Sequence, residues 1–411
     1  MAPGDLADEA GLTVTSGVAD FSQMHAAMRD YVDRGHLPMV MTLVMQGEQI
    51  IDLYGYGQMD HERHKPLQGD TIFRLYSNTK LVTAVAALQL VEQGRLDVDA
   101  PLAAYLPELA DLRVYAGDPQ ADKDKVTSAL DTVPCTHPPT VRELMSHSAG
   151  FVYGWEPTHP VDRAYHAAEI GRGHLTLADV VARLGRIPLA YQPGTGWQYS
   201  ISSDVLARLV EVCSGQPFDR YLHAHIFEPL QMRDTDFHVP ADRHDRFAVN
   251  YRPTNDGYEK ADDPYQGVFS SPKAYLSGGG GLCGTLADYQ RFTSMLLGQG
   301  RWGNEQIIGA DTLKLLHENQ LAPGTGVRFN TLPLNGIGFG LGAAVRVEAS
   351  RSEPAASQGE YFWGGVAGTH AFIHPGLNMA CLCFTQLLPG FLHPYTRAFR
   401  RQVYAALGQD T

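Results

Sequence analysis

The run Ser77-Asn78-Thr79-Lys80 sets a hydroxyl and an amine three residues apart. On a helix, that spacing puts both side chains on one face, with Cβ atoms about 5–6 Å apart, so the amine reaches the hydroxyl. A serine needs such help, because a neutral hydroxyl is a weak nucleophile near pH 7. The chemistry implied is nucleophilic attack by an activated serine. The tetrad is not unique: Ser270-Ser271-Pro272-Lys273 repeats it, but with an interrupting Pro and no buried helix behind it. A structural alternative for Ser77 is a helix N-cap, a position that favours Ser. A reciprocal cap wants Glu or Gln three residues on. Lys80 stands there instead, against the positive end of the helix dipole. The free N–H groups of a helix start could also stabilise a developing oxyanion. No Ser has Gly at both −2 and +2, so the G-x-S-x-G elbow is absent.

Two further runs carry candidate chemistry. Gln198-Tyr199-Ser200-Ile201-Ser202-Ser203-Asp204 follows the turn Gln192–Gly196 and enters an apolar helix. A tyrosine held at such a junction can act as acid or base, and a nearby Lys cation would lower its pKa from about 10. It can equally be a packing residue, one of 19 Tyr. Trp363-Gly364-Gly365-Val366-Ala367-Gly368-Thr369 places paired glycines at a strand end. They permit a close approach of backbone to ligand, or simply a bulge or tight turn. Gly278–Gly281 is not followed by Lys-Ser/Thr and is no phosphate loop. It reads instead as a passage of chain close to the pocket.

The elements that must position these residues follow from periodicity. Phe21–Arg34 reads as an amphipathic helix, and Val40–Met45 with Gln49–Tyr54 as a hairpin. Ile72–Tyr76 leads into Ser77. Leu81–Val91 is apolar nearly all round, hence a buried helix, and stops at Gly94. Helices are expected at 140–146, 177–184, 203–213, 219–225 and 286–297. Strand runs return at 337–347, 360–363, 369–374 and 379–386, before a last helix at 394–407. Residues 113–139 read as a polar surface insertion and 156–174 as a lid or rim. The fold expected is α+β: one antiparallel sheet flanked by helices, built from 19–94 and 336–411, with a mainly helical domain inserted at 95–335. Residues 1–18 read as an N-terminal tail.

Composition narrows the partners. The 411 residues carry 32 Lys+Arg against 45 Asp+Glu, a net charge of −13. With no basic run, the chain lacks the means to neutralise a nucleic acid backbone, and the acidic balance repels anionic membranes. No stretch of about 18 apolar residues suggests a membrane helix. The start, MAPGDLADEAG, lacks the basic and apolar regions of a secretory signal. The five Cys include no C-x-x-C pair, the usage of a reduced protein. A cytoplasmic location is the expectation. Cys381 and Cys383 share one face of a strand. His223 and His225 have no carboxylate or Cys cluster at ligand spacing, so neither metal nor cofactor is expected.

Taken together, these runs resemble the serine β-lactamase and penicillin-binding-protein superfamily, and within it the family VIII carboxylesterases. The resemblance spans about 20–405. It rests on Phe73–Lys80, Gly94–Asp97 through Tyr105–Glu108, Leu144–Gly150, Met232–Thr235, Ser277–Leu282 and Trp363–Gly365. It implies a β-lactamase-like fold. By resemblance, Ser77 is the acylated nucleophile, Lys80 assists its deprotonation, and Tyr199 is general base and then acid. The backbone N–H groups of Ser77 and Val366 form the oxyanion hole. Tyr153, Trp363, Gly364 and Gly365 line the pocket, and Asp204 orients polar groups near Tyr199. β-Lactamases carry a K-T-G strand motif. Here Trp363-Gly364-Gly365 takes its place, and Ile201 stands where those enzymes have Asn. A Lys and a Thr can bind a β-lactam carboxylate and an indole cannot, so the pocket suits a neutral ester. The expected function is a serine carboxylesterase acting on a small-molecule, short-chain ester. The rivals are an acyltransferase, a β-lactamase or D-amino-acid peptidase, and a silent binding protein on the same fold.

Overall fold

The computed structural model describes residues 13–120, 122, 127–156, 158–255, 257–329, 332–348 and 353–409. Its frame is a nine-stranded antiparallel sheet. The first part of the chain supplies β1 (Thr13–Thr15), β2 (Met39–Gln46), β3 (Gln49–Asp60) and β4 (Lys65–Pro66). Next come β5 (Ile72–Arg74) and β6 (Cys283–Thr285), which pair with each other outside this sheet. The last part adds β7 (Ile337–Phe339), β8 (Ala344–Arg346), β9 (Tyr361–Gly364), β10 (His370–His374) and β11 (Met379–Phe384). The order is β1-β3-β2-β11-β10-β9-β8-β7, with β4 on β3. Strands from the two ends of the chain therefore meet at β2 and β11, where Met41 pairs with Phe384 and Gln46 with Met379.

Among the described residues, ten helices accompany the strands: α1 (Ser22–Asp33), α2 (Thr79–Glu92), α3 (Val141–Met145), α4 (Pro160–Ala167), α5 (Leu177–Leu184), α6 (Ser202–Ser214), α7 (Phe218–Leu222), α8 (Leu286–Leu297), α9 (Ala310–Lys314) and α10 (Tyr395–Ala406). One sheet face buries Val40, Val44, Cys381 and Cys383 against Met24 and Met28 of α1 and Phe399 and Val403 of α10. The other face, with Met41, Leu43, Leu382 and Phe384, joins the core that surrounds α2. Both faces are covered, so β2 is buried along all but its last residue. Alternating side chains feed two cores. No helix among the described residues is long and apolar enough to cross a membrane.

Several expectations shift in detail. Thr13–Thr15, read as part of the tail, pair with Asp52–Tyr54 as an edge strand; residues 1–12 lie outside the described residues. The apolar run 337–347 is two strands joined by a turn rather than one. Within 113–139, Arg113–Tyr115 and Thr132–Pro134 form a hairpin. The polar stretch 156–174 contains α4, which buries Val161, Ala164 and Tyr165. The helix expected at 219–225 is α7 followed by one wider turn over His223–Phe227. Those histidines have ordinary partners: His223 approaches Asp236 at 3.4 Å and His225 lies against Tyr221.

Candidate active site

Ser77 stands in a single 3-10 turn, Tyr76–Asn78, between β5 and α2. The residue before it, Tyr76, has φ +44°. That is a left-handed conformation costly for a bulky side chain, and such strain persists only where the surroundings hold it. The Tyr76 ring lies edge-on to Phe269, and its hydroxyl accepts from Asn250 Nδ2 at 3.3 Å. The α2 helix behind the turn is buried from Thr79 through Leu90. Its N-cap residue is Asn78, with no side-chain cap bond. The capping alternative for Ser77 therefore falls away. Asn78 instead spends its amide on the backbone oxygen of Thr369, at 3.0 Å.

Lys80 faces back toward the serine. Its Nζ lies 3.4 Å from Ser77 Oγ, 2.8 Å from Tyr153 Oη and 2.6 Å from the Gly279 carbonyl oxygen. Burial lowers its pKa to about 7, against a smaller upward pull from Asp204. A substantial part of Lys80 is thus free amine at neutral pH, the form that can accept a proton. The Gly278–Gly281 segment reaches this point because β6 pairs with β5 just ahead of the serine. A Cβ on Gly279 would sit 2.5 Å from Asp204 Oδ2 and 2.7 Å from Tyr153 Oη. Glycine is needed here for close approach.

Tyr199 closes the triangle. Its phenol is hydrogen-bonded to the Ser77 hydroxyl and accepts from Trp363 Nε1 at 3.1 Å. Lys80 Nζ lies 4.6 Å from the centre of its ring. The sequence reading has Lys80 lowering the phenol's pKa. The structure reverses this: burial raises it, and the bonds from Ser77 and Trp363 only oppose that rise. The reason is mutual. The same burial that pushes up the phenol strips Lys80 of much of its charge. Tyr153 is likewise pushed up by burial, so both phenols are neutral.

The remaining candidates fall around this centre. Gly364 ends β9, and Gly365 and Val366 begin the turn to β10. Thr369 Oγ1 donates to the Leu75 carbonyl at 2.9 Å. With Asn78, this latches the turn to the serine's own turn. A Cβ on Gly365 would collide with the Leu75 carbonyl oxygen and the Thr369 hydroxyl. Among the described residues, neither the Ser77 N–H nor the Val366 N–H is used in the backbone bonds that tie the turns. Asp204, expected to orient polar groups near Tyr199, is bonded to the glycine segment that reaches Lys80. Its Oδ1 accepts from Ser277 Oγ at 2.6 Å and Gly279 N at 3.3 Å, so it braces that segment.

His147 was missed as a site residue, although its run was singled out. It has φ +59°. Its ring lies 5.2 Å from that of Tyr199, and its Nδ1 pairs with Ser200 Oγ at 2.9 Å. Burial, with a smaller push from Lys80, lowers its pKa well below the usual imidazole value. A neutral ring therefore seats the tyrosine. The signal in sequence is a histidine between Ser146 and Ser148, which spacing alone cannot interpret. Trp155, stacked on Tyr153, was also missed.

The chain is similar to known proteins over most of its length. The chain matches the Beta-lactamase family over residues 24–405. It is 30% identical to Esterase EstB of Burkholderia gladioli, covering 89% of this chain and 90% of that one. It is 28% identical to a monacolin J acid methylbutanoyltransferase of Aspergillus terreus, with 84% of each covered. The solved structure of EstCE1, described as a hydrolase with promiscuous acyltransferase activity, superposes with a TM-score of 0.76 at 24% identity, over 93% of this chain and 98% of that one. The protein belongs to the β-lactamase family and is a serine hydrolase built on that fold.

Proposed function

We propose that the protein is a carboxylesterase that cleaves uncharged esters through an acyl-enzyme on Ser77. The observation that carries this reading is the convergence of Lys80, a substantial part of it free amine at neutral pH, and a neutral Tyr199 on one hydroxyl. Lys80 accepts the Ser77 proton, directly or through the Tyr199 phenol, as Oγ attacks the ester carbonyl. The oxyanion is held by the N–H groups of Ser77 and Val366. As the tetrahedral intermediate collapses, the carbon–oxygen bond to the alcohol breaks. Tyr199 protonates the departing alkoxide and is recharged by the Lys80 ammonium. Water then attacks the acyl carbonyl by the reverse proton path, releasing the acid and Ser77. Tyr153 and the Gly279 carbonyl hold the amine in place throughout.

Preference for a neutral ester is supported by Trp363, which stands where a carboxylate-binding Lys would stand in a β-lactamase. Its one donor is directed to Tyr199. The EstB relative supports hydrolysis, and the Aspergillus terreus relative supports a second reading, transfer of the acyl group to an alcohol. A panel of p-nitrophenyl esters from acetate upward, run beside nitrocefin, tests the assignment. The esters are expected to turn over much faster. Nitrocefin turnover exceeding ester turnover would contradict it. Product analysis with added alcohol separates transfer from hydrolysis.

The oxyanion assignment has its own test. Gly365→Ala must push the turn away from Leu75 and carry the Val366 N–H with it. A misplaced oxyanion donor costs about 10²–10³ in kcat. The expected result is a fall of that size in kcat with little change in KM, because the interaction belongs to the transition state. A rise in KM at unchanged kcat would instead make the turn a binding element.

A further inference from the structure

The rings of His147, Tyr153, Trp155, Trp197 and Trp363 lie around that of Tyr199, with centroids 5.1–6.4 Å away. His147, Trp197 and Trp363 are buried, whereas Trp155 is 52% exposed. One face of its indole is covered by Tyr153, at 4.3 Å and an interplanar angle of 4°. The half-exposed indole, its ring centre 5.7 Å from that of the buried Tyr199, offers an apolar surface beside the candidate catalytic groups.

The local chain explains the geometry. Side chains two apart on an extended strand share a face but stand too far apart to stack. Gly154, between Tyr153 and Trp155, has φ +81° and bends the chain so that the two rings close on each other. Trp155 is thereby oriented before any ligand arrives, which lowers the ordering cost of binding. Its neighbours define what it can read. Tyr199 is the proposed proton donor to the departing alkoxide, and Tyr153 holds Lys80 at 2.8 Å. Trp155 thus lies beside the groups that handle the alcohol's proton, while the acyl oxygen is assigned to the N–H groups of Ser77 and Val366.

Resting on the esterase reading above, we propose that Trp155 is the plate on which the alcohol part of the ester stacks, and that the enzyme selects esters of flat, ring-bearing alcohols. Offset stacking on an indole adds specificity beyond area burial, and its loss corresponds to about tenfold in binding.

The test uses two acetates that share one acyl-enzyme, 2-naphthyl acetate and methyl acetate, with wild type, Trp155→Ala and Trp155→Phe. The readout is the ratio of kcat/KM for the aryl ester to that for the methyl ester, which is insensitive to the fraction of folded enzyme. Trp155→Ala is expected to lower this ratio about tenfold, and Trp155→Phe to restore most of it. The ratio for p-nitrophenyl butyrate over p-nitrophenyl acetate, which varies only the acyl group, should stay at its wild-type value. An unchanged aryl-to-methyl ratio overturns the proposal, as does a change confined to the acyl series. Failure of the esterase reading would look different: no Ser77-dependent turnover of either acetate by wild type.

Discussion

Ser77→Ala is expected to lower kcat/KM for p-nitrophenyl acetate and butyrate by about 10⁴-fold or more, the scale seen when a covalent nucleophile is removed, while leaving the melting temperature close to wild type. The second half of this expectation comes from the structure. Ser77 lies in a 3-10 turn ahead of α2, and its side chain caps nothing. The turn is held by other groups: Asn78 on the Thr369 carbonyl, Thr369 on the Leu75 carbonyl, and the Tyr289 hydroxyl on the Asn78 carbonyl at 3.0 Å. Loss of a capping serine would cost about 1 kcal/mol of stability. Loss of this one should cost activity. A rate within tenfold of wild type, or a marked fall in melting temperature with activity retained, would count against the account.

Lys80→Met should reduce kcat/KM by about 10²–10⁴, the usual range for general acid–base groups. Wild-type kcat/KM should rise as pH increases through about 7, because the Lys80 amine accepts a proton only once it has lost its own. That limb should be absent from Lys80→Met. Stability should carry the same signature. Lys80 loses its proton near 7 in the folded protein but near 10.5 in the unfolded chain. Between those values the unfolded chain binds more protons, so this residue makes stability rise with pH across that window. Below it, both states are protonated, and the full penalty of burying the charge applies. Lys80→Met should flatten the rise, as measured by denaturant unfolding at pH 7 and pH 9. An activity limb that persists near 7 in the variant would place the base elsewhere.

Much of this was legible in sequence, for physical reasons that differ by element. The hairpin of β2 and β3, the buried α2 and the strands β9 to β11 announce themselves through apolar runs of the right period. Ser77 and Lys80 are legible because three-residue spacing on a helix is itself a contact. Tyr199 and Val366 are a different matter. Nothing local ties them to Ser77, and only the ordered set of runs brought them forward. Three features escaped for want of local signal. The short strands Cys283–Thr285 and Thr13–Thr15 are too brief to show a period, yet the first delivers Gly279 to the amine. The role of Asp204 depends on Ser277, far along the chain. The pKa of Tyr199 depends on burial by His147, Trp197 and Trp363, which no spacing displays.

The central claim is that an acyl group passes through Ser77. The most direct measurement is mass spectrometry of peptides from enzyme quenched in acid during turnover of p-nitrophenyl acetate. The account requires one acetyl group on the peptide containing Ser77, accumulating in wild type and absent from Ser77→Ala. Ester turnover with that peptide unmodified, or acetyl found on Tyr199 or Lys80 instead, would contradict it.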